Sequence, residues 1–241
     1  MNLVLDIGNT NSKFSVYKSN KIIDFGVWDS IKVKDKFINW RRENKNCESI
    51  VISDVLGVNK DDFEFIAKCH VIWISSRIKL PFKIKYKNPG ELGPDRISLA
   101  AAAVFKYPKK NCLVIDIGTC ITYDFISKNS TYLGGSISPG FTMRYTILNT
   151  NTSKLPRLKI VEPSRLIGGT TEECIHSGIF FGVIGEIENQ INLYKKKYKD
   201  LTIILTGGDA KYLANRIKNG IFANYSFISK GLFNILNLNN Q

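Results

Sequence analysis

The feature that most constrains the fold is an internal echo. Asn2-Leu3-Val4-Leu5-Asp6-Ile7-Gly8-Asn9-Thr10 lies over Cys112-Leu113-Val114-Ile115-Asp116-Ile117-Gly118-Thr119-Cys120 at a fixed offset of 110 positions, 116 less 6. Leu, Val, Asp, Ile and Gly recur in place. An apolar run of this length that ends in Gly and small polar residues reads as a buried strand entering a tight turn. In both copies a return strand follows, over 13–17 and over 121–126. Strand composition is narrow, so two apolar runs match easily. Two runs that both end Asp-x-Gly and both turn back are a stronger sign. The expectation is a duplicated α/β unit broken near 108–111, with domains at 1–110 and 111–241, each a mixed sheet flanked by helices.

The rest of the chain follows that plan. Strands are predicted over 2–7, 21–28, 49–56 and 70–75, with helices over 31–44, 61–68 and 95–105. Gly93-Pro94-Asp95 is the start signal of the last helix, and Ala100 to Ala103 form a strong helix centre. Residues 79–89 read as an extended connection. The second half predicts strands over 112–117, 131–138 and 201–205, and helices over 141–149, 172–197 and 210–218.

Composition narrows the function classes. With 241 residues, 44% of them hydrophobic, a real core is within reach. No apolar run approaches the roughly 18–20 residues of a membrane span. The segment Met1 to Asp6 carries an acid where an export signal is basic. The expectation is a cytoplasmic protein without a membrane partner. Five cysteines show no C-x-x-C spacing, and His70 and His176 alone make no zinc pattern. Cys47, Cys69, Cys112 and Cys174 read as small core residues. The net charge of +13 attracts polyanions, yet the basic residues are scattered, and Lys195-Lys196-Lys197 is their densest run. No basic motif is interleaved with aromatics, so no nucleic-acid partner is expected.

The repeated turn carries the chemistry. At Asp6-Ile7-Gly8-Asn9-Thr10 a buried strand delivers an acid to a hairpin. Gly8 lets backbone N–H groups approach an anion, Asn9, Thr10, Asn11 and Ser12 add short donors, and Lys13 adds charge. Such a turn can hold a phosphate chain, and Asp6 can hold Mg2+ or its water. Ordinary hairpin turns also use Gly and Asn. The second copy at Asp116-Ile117-Gly118-Thr119 favours phosphate, because two such hairpins would grip a triphosphate from both sides. Neither G-x-x-x-x-G-K-[ST] nor G-x-G-x-x-G is present.

With Thr206-Gly207-Gly208-Asp209-Ala210, these turns resemble the phosphate and adenosine elements of the actin-like (ribonuclease H-like) kinase superfamily. Three further segments resemble the type III pantothenate kinases. They are Gly93-Pro94-Asp95-Arg96 (G-x-D-R), Gly134 to Gly140 (G-G-x-I-x-P-G), and Thr171-Glu172-Glu173 with Ser177-Gly178. Cys120 and Thr170 depart from the family pattern without removing a chemical group. The resemblance implies two actin-like domains with the active site in the cleft between them. It implies ATP-dependent phosphorylation of pantothenate, the first step of coenzyme A synthesis. Carried over, Asp95 is the general base; without the resemblance, an Asp there reads as a helix N-cap. Tyr86, Gly93, Pro94, Asp95, Arg96 and Thr171 would contact pantothenate. Asp6, Ile7, Gly8, Asn9, Thr10, Asn11, Ser12, Lys13 and Thr119 would hold ATP, with Mg2+ at Asp6. Asp116 would bind a monovalent cation, K+ or NH4+, and the protein would be a homodimer. The alternatives are another sugar or acyl kinase of the superfamily, or a transcriptional accessory regulator.

Overall fold

The structure is a computed structural model that describes residues 1–213, 216–217, 220–224 and 226–240. Its first half builds a five-stranded sheet from β1 (Asn2–Ile7), β2 (Asn11–Lys18), β3 (Lys21–Asp29), β4 (Ser49–Asp54) and β5 (His70–Trp73). The helices of this half are α1 (Val33–Glu43), α2 (Lys60–Ala67) and α3 (Pro94–Lys106), and a short strand, β6 (Lys83–Ile84), precedes α3. The second half supplies β7 (Asn111–Ile117), β8 (Cys120–Ser127), β9 (Thr131–Pro139), α4 (Phe141–Thr150), α5 (Thr171–Lys197), β10 (Leu201–Thr206), β11 (Ile221–Phe222) and α6 (Ser226–Asn239).

The sheets repeat one topology. The first runs β3-β2-β1-β4-β5 and the second β11-β10-β7-β8-β9-β6. Replacing β1 to β5 by β7, β8, β9, β10 and β11 turns one order into the other, with β6 added at the edge. The echo in the sequence is therefore an echo in topology. In each sheet a hairpin meets a parallel neighbour: β4 runs parallel to β1, and β10 to β7.

Two compact units result. The first holds residues 1–109, the hairpin tip Ile126–Leu133 and α6; the second holds Lys110–Phe125 and Gly134–Asn224. Side chains alternate across a strand. In β1, Leu3, Leu5 and Ile7 therefore turn together into a core with Val33, Phe37, Trp40 and Phe63 of α1 and α2. Asp6 falls on the opposite face, the side on which Tyr17 stacks on Phe233 of α6 at 3.9 Å. α6 crosses α3 closely: a Cβ on Gly231 would stand 2.3 Å from the Ser98 carbonyl oxygen. The alanines of α3 are what allow that approach. In the second unit Leu113, Ile115 and Ile117 enter a core with Ile179, Phe180, Val183 and Ile187 of α5. Asp116 is again the residue between.

Most predicted elements stand within a few residues of their expected bounds. The helix expected over 31–44 opens as a 3-10 turn, Ser30–Lys32, whose N-cap Asp29 accepts from Ile31 N–H. The helix expected over 210–218 is a 3-10 turn at Ala210–Leu213, and 214, 215 and 218 lie outside the described residues. Cys47 and Cys112 are buried as expected, but Cys174 is exposed because it lies on the outward stripe of α5.

Candidate active site

In the first unit, strand register assembles a polar row. Lys13 of β2 lies opposite Asp6, and Ser53 of β4 lies on the other side of it. Asp95, in the first turn of α3, acts on Asp6 through its charge. Burial pushes the Asp6 pKa up from 3.8 to about 6; Lys13 opposes the rise, the Asp95 charge adds to it, and the Ser53 hydroxyl lowers it. Ser53 is fully buried, and its hydroxyl makes no full hydrogen bond among the described residues.

A carboxyl with a raised pKa has a definite linkage sign. The folded chain holds the Asp6 proton more tightly than the unfolded chain. Its ionised form therefore costs stability above pH about 6, and the cost vanishes below about 4. Asp6→Asn is expected to raise the melting temperature of the ligand-free, metal-free protein at pH 7.5 and to have no such effect at pH 4. The gain is at most about 3 kcal/mol, since Asp6 keeps some contact with water. A lower melting temperature at pH 7.5 would contradict the assignment.

Asp95 is not the helix cap. That position belongs to Gly93, which makes no side-chain cap bond. Asp95 instead folds its carboxylate back onto the first turn, where Oδ1 accepts from Arg96 N–H at 2.8 Å. A Cβ on Gly93 would stand 2.5 Å from that oxygen, so glycine at 93 makes the room the carboxylate occupies. Burial raises the Asp95 pKa, with the Arg96 N–H and guanidinium opposing it. Arg96 is 7% exposed and lies over the Tyr132 ring, 6.0 Å from its centroid. Tyr86 packs against the same ring at 6.2 Å. Tyr132 thus joins two residues expected to meet one substrate. The sequence reading missed it, because the pairing of β6 with β9 that brings it there is non-local.

The first turn itself is split in two. Asn9, Thr10 and Asn11 are exposed, whereas the Ser12 side chain is fully buried. Asn9, Thr10 and Asn11 line a pocket of about 430 Å³ with Val27, Trp28, Asp29 and Ile31.

The second unit builds the equivalent turn around glycines. Thr206 of β10 lies opposite Asp116 in register, as Ser53 lies opposite Asp6. Gly207 has φ +98°, and a Cβ there would stand 2.6 Å from Asp116 Oδ1. Asp209 N–H donates to the Ile117 carbonyl at 3.0 Å, which locks the Gly-Gly loop onto the end of β7. Gly140 N–H donates to the Thr119 carbonyl at 3.0 Å. Glu186 of α5 accepts from Tyr123, Ser138 and Arg144, and Arg144 Nε also donates to the Pro139 carbonyl. The segment before Gly140 is therefore clamped to α5. Thr171 is the exposed first residue of α5, after Thr170, whose hydroxyl caps the helix by accepting from Glu173 N–H.

No group of three or more His, Cys, Asp or Glu suited to a metal occurs among the described residues. Mg2+ is commonly held by one or two carboxylates together with substrate phosphates, so Asp6, with the Asp95 carboxylate close enough to act on it, fits that ion. At Asp116 a carboxylate stands near a strand-paired hydroxyl residue, Thr206, and the Ile117 carbonyl, an oxygen set that suits a hard cation.

Comparison with known proteins identifies the family and the fold. A family model described as type III pantothenate kinase matches residues 2–193. Proteins named type III pantothenate kinase from Flavobacterium psychrophilum and Bacteroides fragilis are 42% and 35% identical. They cover 98% and 100% of this chain, which in turn covers 98% and 99% of theirs. Among solved structures, a Campylobacter jejuni protein described as a Baf family transcriptional activator is 24% identical with TM-score 0.65, covering 99% of this chain and 98% of its own. A ROK family glucokinase from Streptomyces griseus is 11% identical with TM-score 0.57, covering 100% and 99%. At those identities the structures speak for the fold, two duplicated actin-like units. The chain belongs to the type III pantothenate kinase family.

Proposed function

We propose that this chain transfers the terminal phosphoryl group of ATP to the primary hydroxyl of pantothenate, opening coenzyme A synthesis. The observation that carries this reading is the family match over 2–193 together with Asp95 held in the first turn of α3 beside Asp6. Asp95 takes the hydroxyl proton. Phosphoryl transfer passes through a loose transition state, so the alignment of that carboxylate matters more than its basicity. Asn9, Thr10, Asn11, Lys13 and the backbone of Asp6 to Gly8 hold phosphate oxygens, and Thr119 does so from the second turn. Tyr86, Gly93, Pro94, Arg96 and Thr171 contact pantothenate. Mg2+ bound at Asp6 would neutralise phosphate charge, and K+ or NH4+ would sit at Asp116. A panel of pantothenate, glucose, N-acetylmannosamine and acetate with ATP tests the substrate. Turnover on pantothenate alone is expected; turnover on a sugar or on acetate without pantothenate activity would overturn the reading.

The working form is proposed to be a cytoplasmic homodimer built on α5. Gly178, Gly182 and Gly185 are all exposed, and a Cβ on any of them would meet nothing within 4 Å. Each costs the helix about 0.5–1 kcal/mol relative to alanine. Spacings of four and three put them on one stripe, where another helix could approach closely. Gly182→Leu is expected to sediment as a monomer; an unchanged dimer would contradict this interface.

A further inference from the structure

We infer that Ser30 is a positioning residue for the first phosphate turn, acting through a hydroxyl relay from Ser12 to the Gly8 carbonyl. The inference rests on the reading of that turn as the ATP site. Ser30 opens the 3-10 turn after β3, remote in sequence from the phosphate motif, and is only 2% exposed. Its Oγ donates to the Gly8 carbonyl at 2.7 Å and lies 2.9 Å from Ser12 Oγ. Its backbone N–H reaches the Thr10 carbonyl at 3.3 Å. One side chain and its amide therefore hold the turn at both ends.

Proton counting fixes the direction of the relay. A serine hydroxyl has one hydrogen to give. Ser30 gives its hydrogen to Gly8, so Ser12 must be the donor in the Ser12–Ser30 bond. Ser12 then has no hydrogen left for a phosphate oxygen, and its side chain is fully buried. The role expected of Ser12 as a phosphate donor passes to its neighbours. Ser30, oriented by Ser12, engages the Gly8 carbonyl through its hydroxyl and the Thr10 carbonyl through its amide, so both carbonyls are occupied within the protein. A buried hydrogen bond of this kind stabilises the turn, and removing one partner leaves the other unsatisfied.

The test uses Ser12→Ala, Ser30→Ala, their double variant, and Ser30→Thr, which keeps the hydroxyl. Ser30→Ala is expected to raise KM for ATP about tenfold. KM for pantothenate should stay within about twofold, and Ser30→Thr should recover most of the loss. The double variant should be no worse than Ser30→Ala, because both substitutions break one relay. Amide exchange across 8–12 should quicken in both alanine variants, and this readout needs no activity. Additive effects of the two serines would show that Ser12 touches phosphate directly, and would overturn the inference. So would an unchanged KM for ATP in an active Ser30→Ala enzyme, or unchanged exchange across 8–12. A wild-type protein inert toward pantothenate, with exchange still quickened in the variants, would sink the functional reading and leave the relay standing.

Discussion

Asp95→Asn is expected to fold as the parent does and to lose turnover by about two to four orders of magnitude. The amide keeps the size of the side chain and can still accept from Arg96 N–H, so the first turn of α3 survives. What goes is the capacity to take a proton. Burial raises the Asp95 pKa, so its ionised form is the disfavoured one in the folded chain. Removing the charge therefore does not destabilise the protein at neutral pH, and the melting temperature should hold or rise. The same shift predicts an acid limb in kcat/KM above the ordinary aspartate range, because activity falls as Asp95 takes up its proton. The check is steady-state turnover beside a thermal melt. Near parental turnover in the folded variant would return Asp95 to a structural role.

The second large effect is expected at Gly140. An added Cβ would stand 2.1 Å from the Gly118 carbonyl oxygen and 2.6 Å from that of Thr119, distances no real contact shows. The backbone of Gly140, at φ −73° and ψ 178°, suits any residue, so the obstacle in Gly140→Ala is space alone. The neighbour that must yield is the Gly118-Thr119 turn, the one proposed to hold phosphate. Overpacking of this kind costs about 1–3 kcal/mol. The Gly140 N–H bond to Thr119 should break, and KM for ATP should rise with the displaced turn. Melting temperature and KM measured together test this; parental values of both would show that the turn gives way without consequence.

Much of the fold was legible because it is local. The strand runs, the start of α3 at Gly93-Pro94 and the duplicated Asp-x-Gly turns all follow from short-range pattern. α6 was not foreseen, although Phe227, Ile228, Leu232, Phe233, Ile235 and Leu236 carry its helical spacing. Its place against α3 depends on a pairing between residues far apart in the chain, as the closeness of Gly231 to Ser98 and of Lys106 to the Phe227 ring shows. The candidate site divides in the same way. Asp6, Lys13 and Asp95 could be named from motifs. Ser53, Tyr132 and Ser30 could not, because strand register, the β6–β9 pairing and a 3-10 turn bring them in. The burial of Ser12 is of the same kind, a tertiary property that the motif does not display.

The most direct test of the central claim is to incubate the purified protein with ATP, Mg2+ and K+, with and without pantothenate, and to follow both ADP and the phosphorylated product. The account predicts ADP only when pantothenate is present, one phosphopantothenate for each ADP, and a sharp loss of rate when Na+ replaces K+. Folded protein that yields no pantothenate-dependent ADP would contradict it.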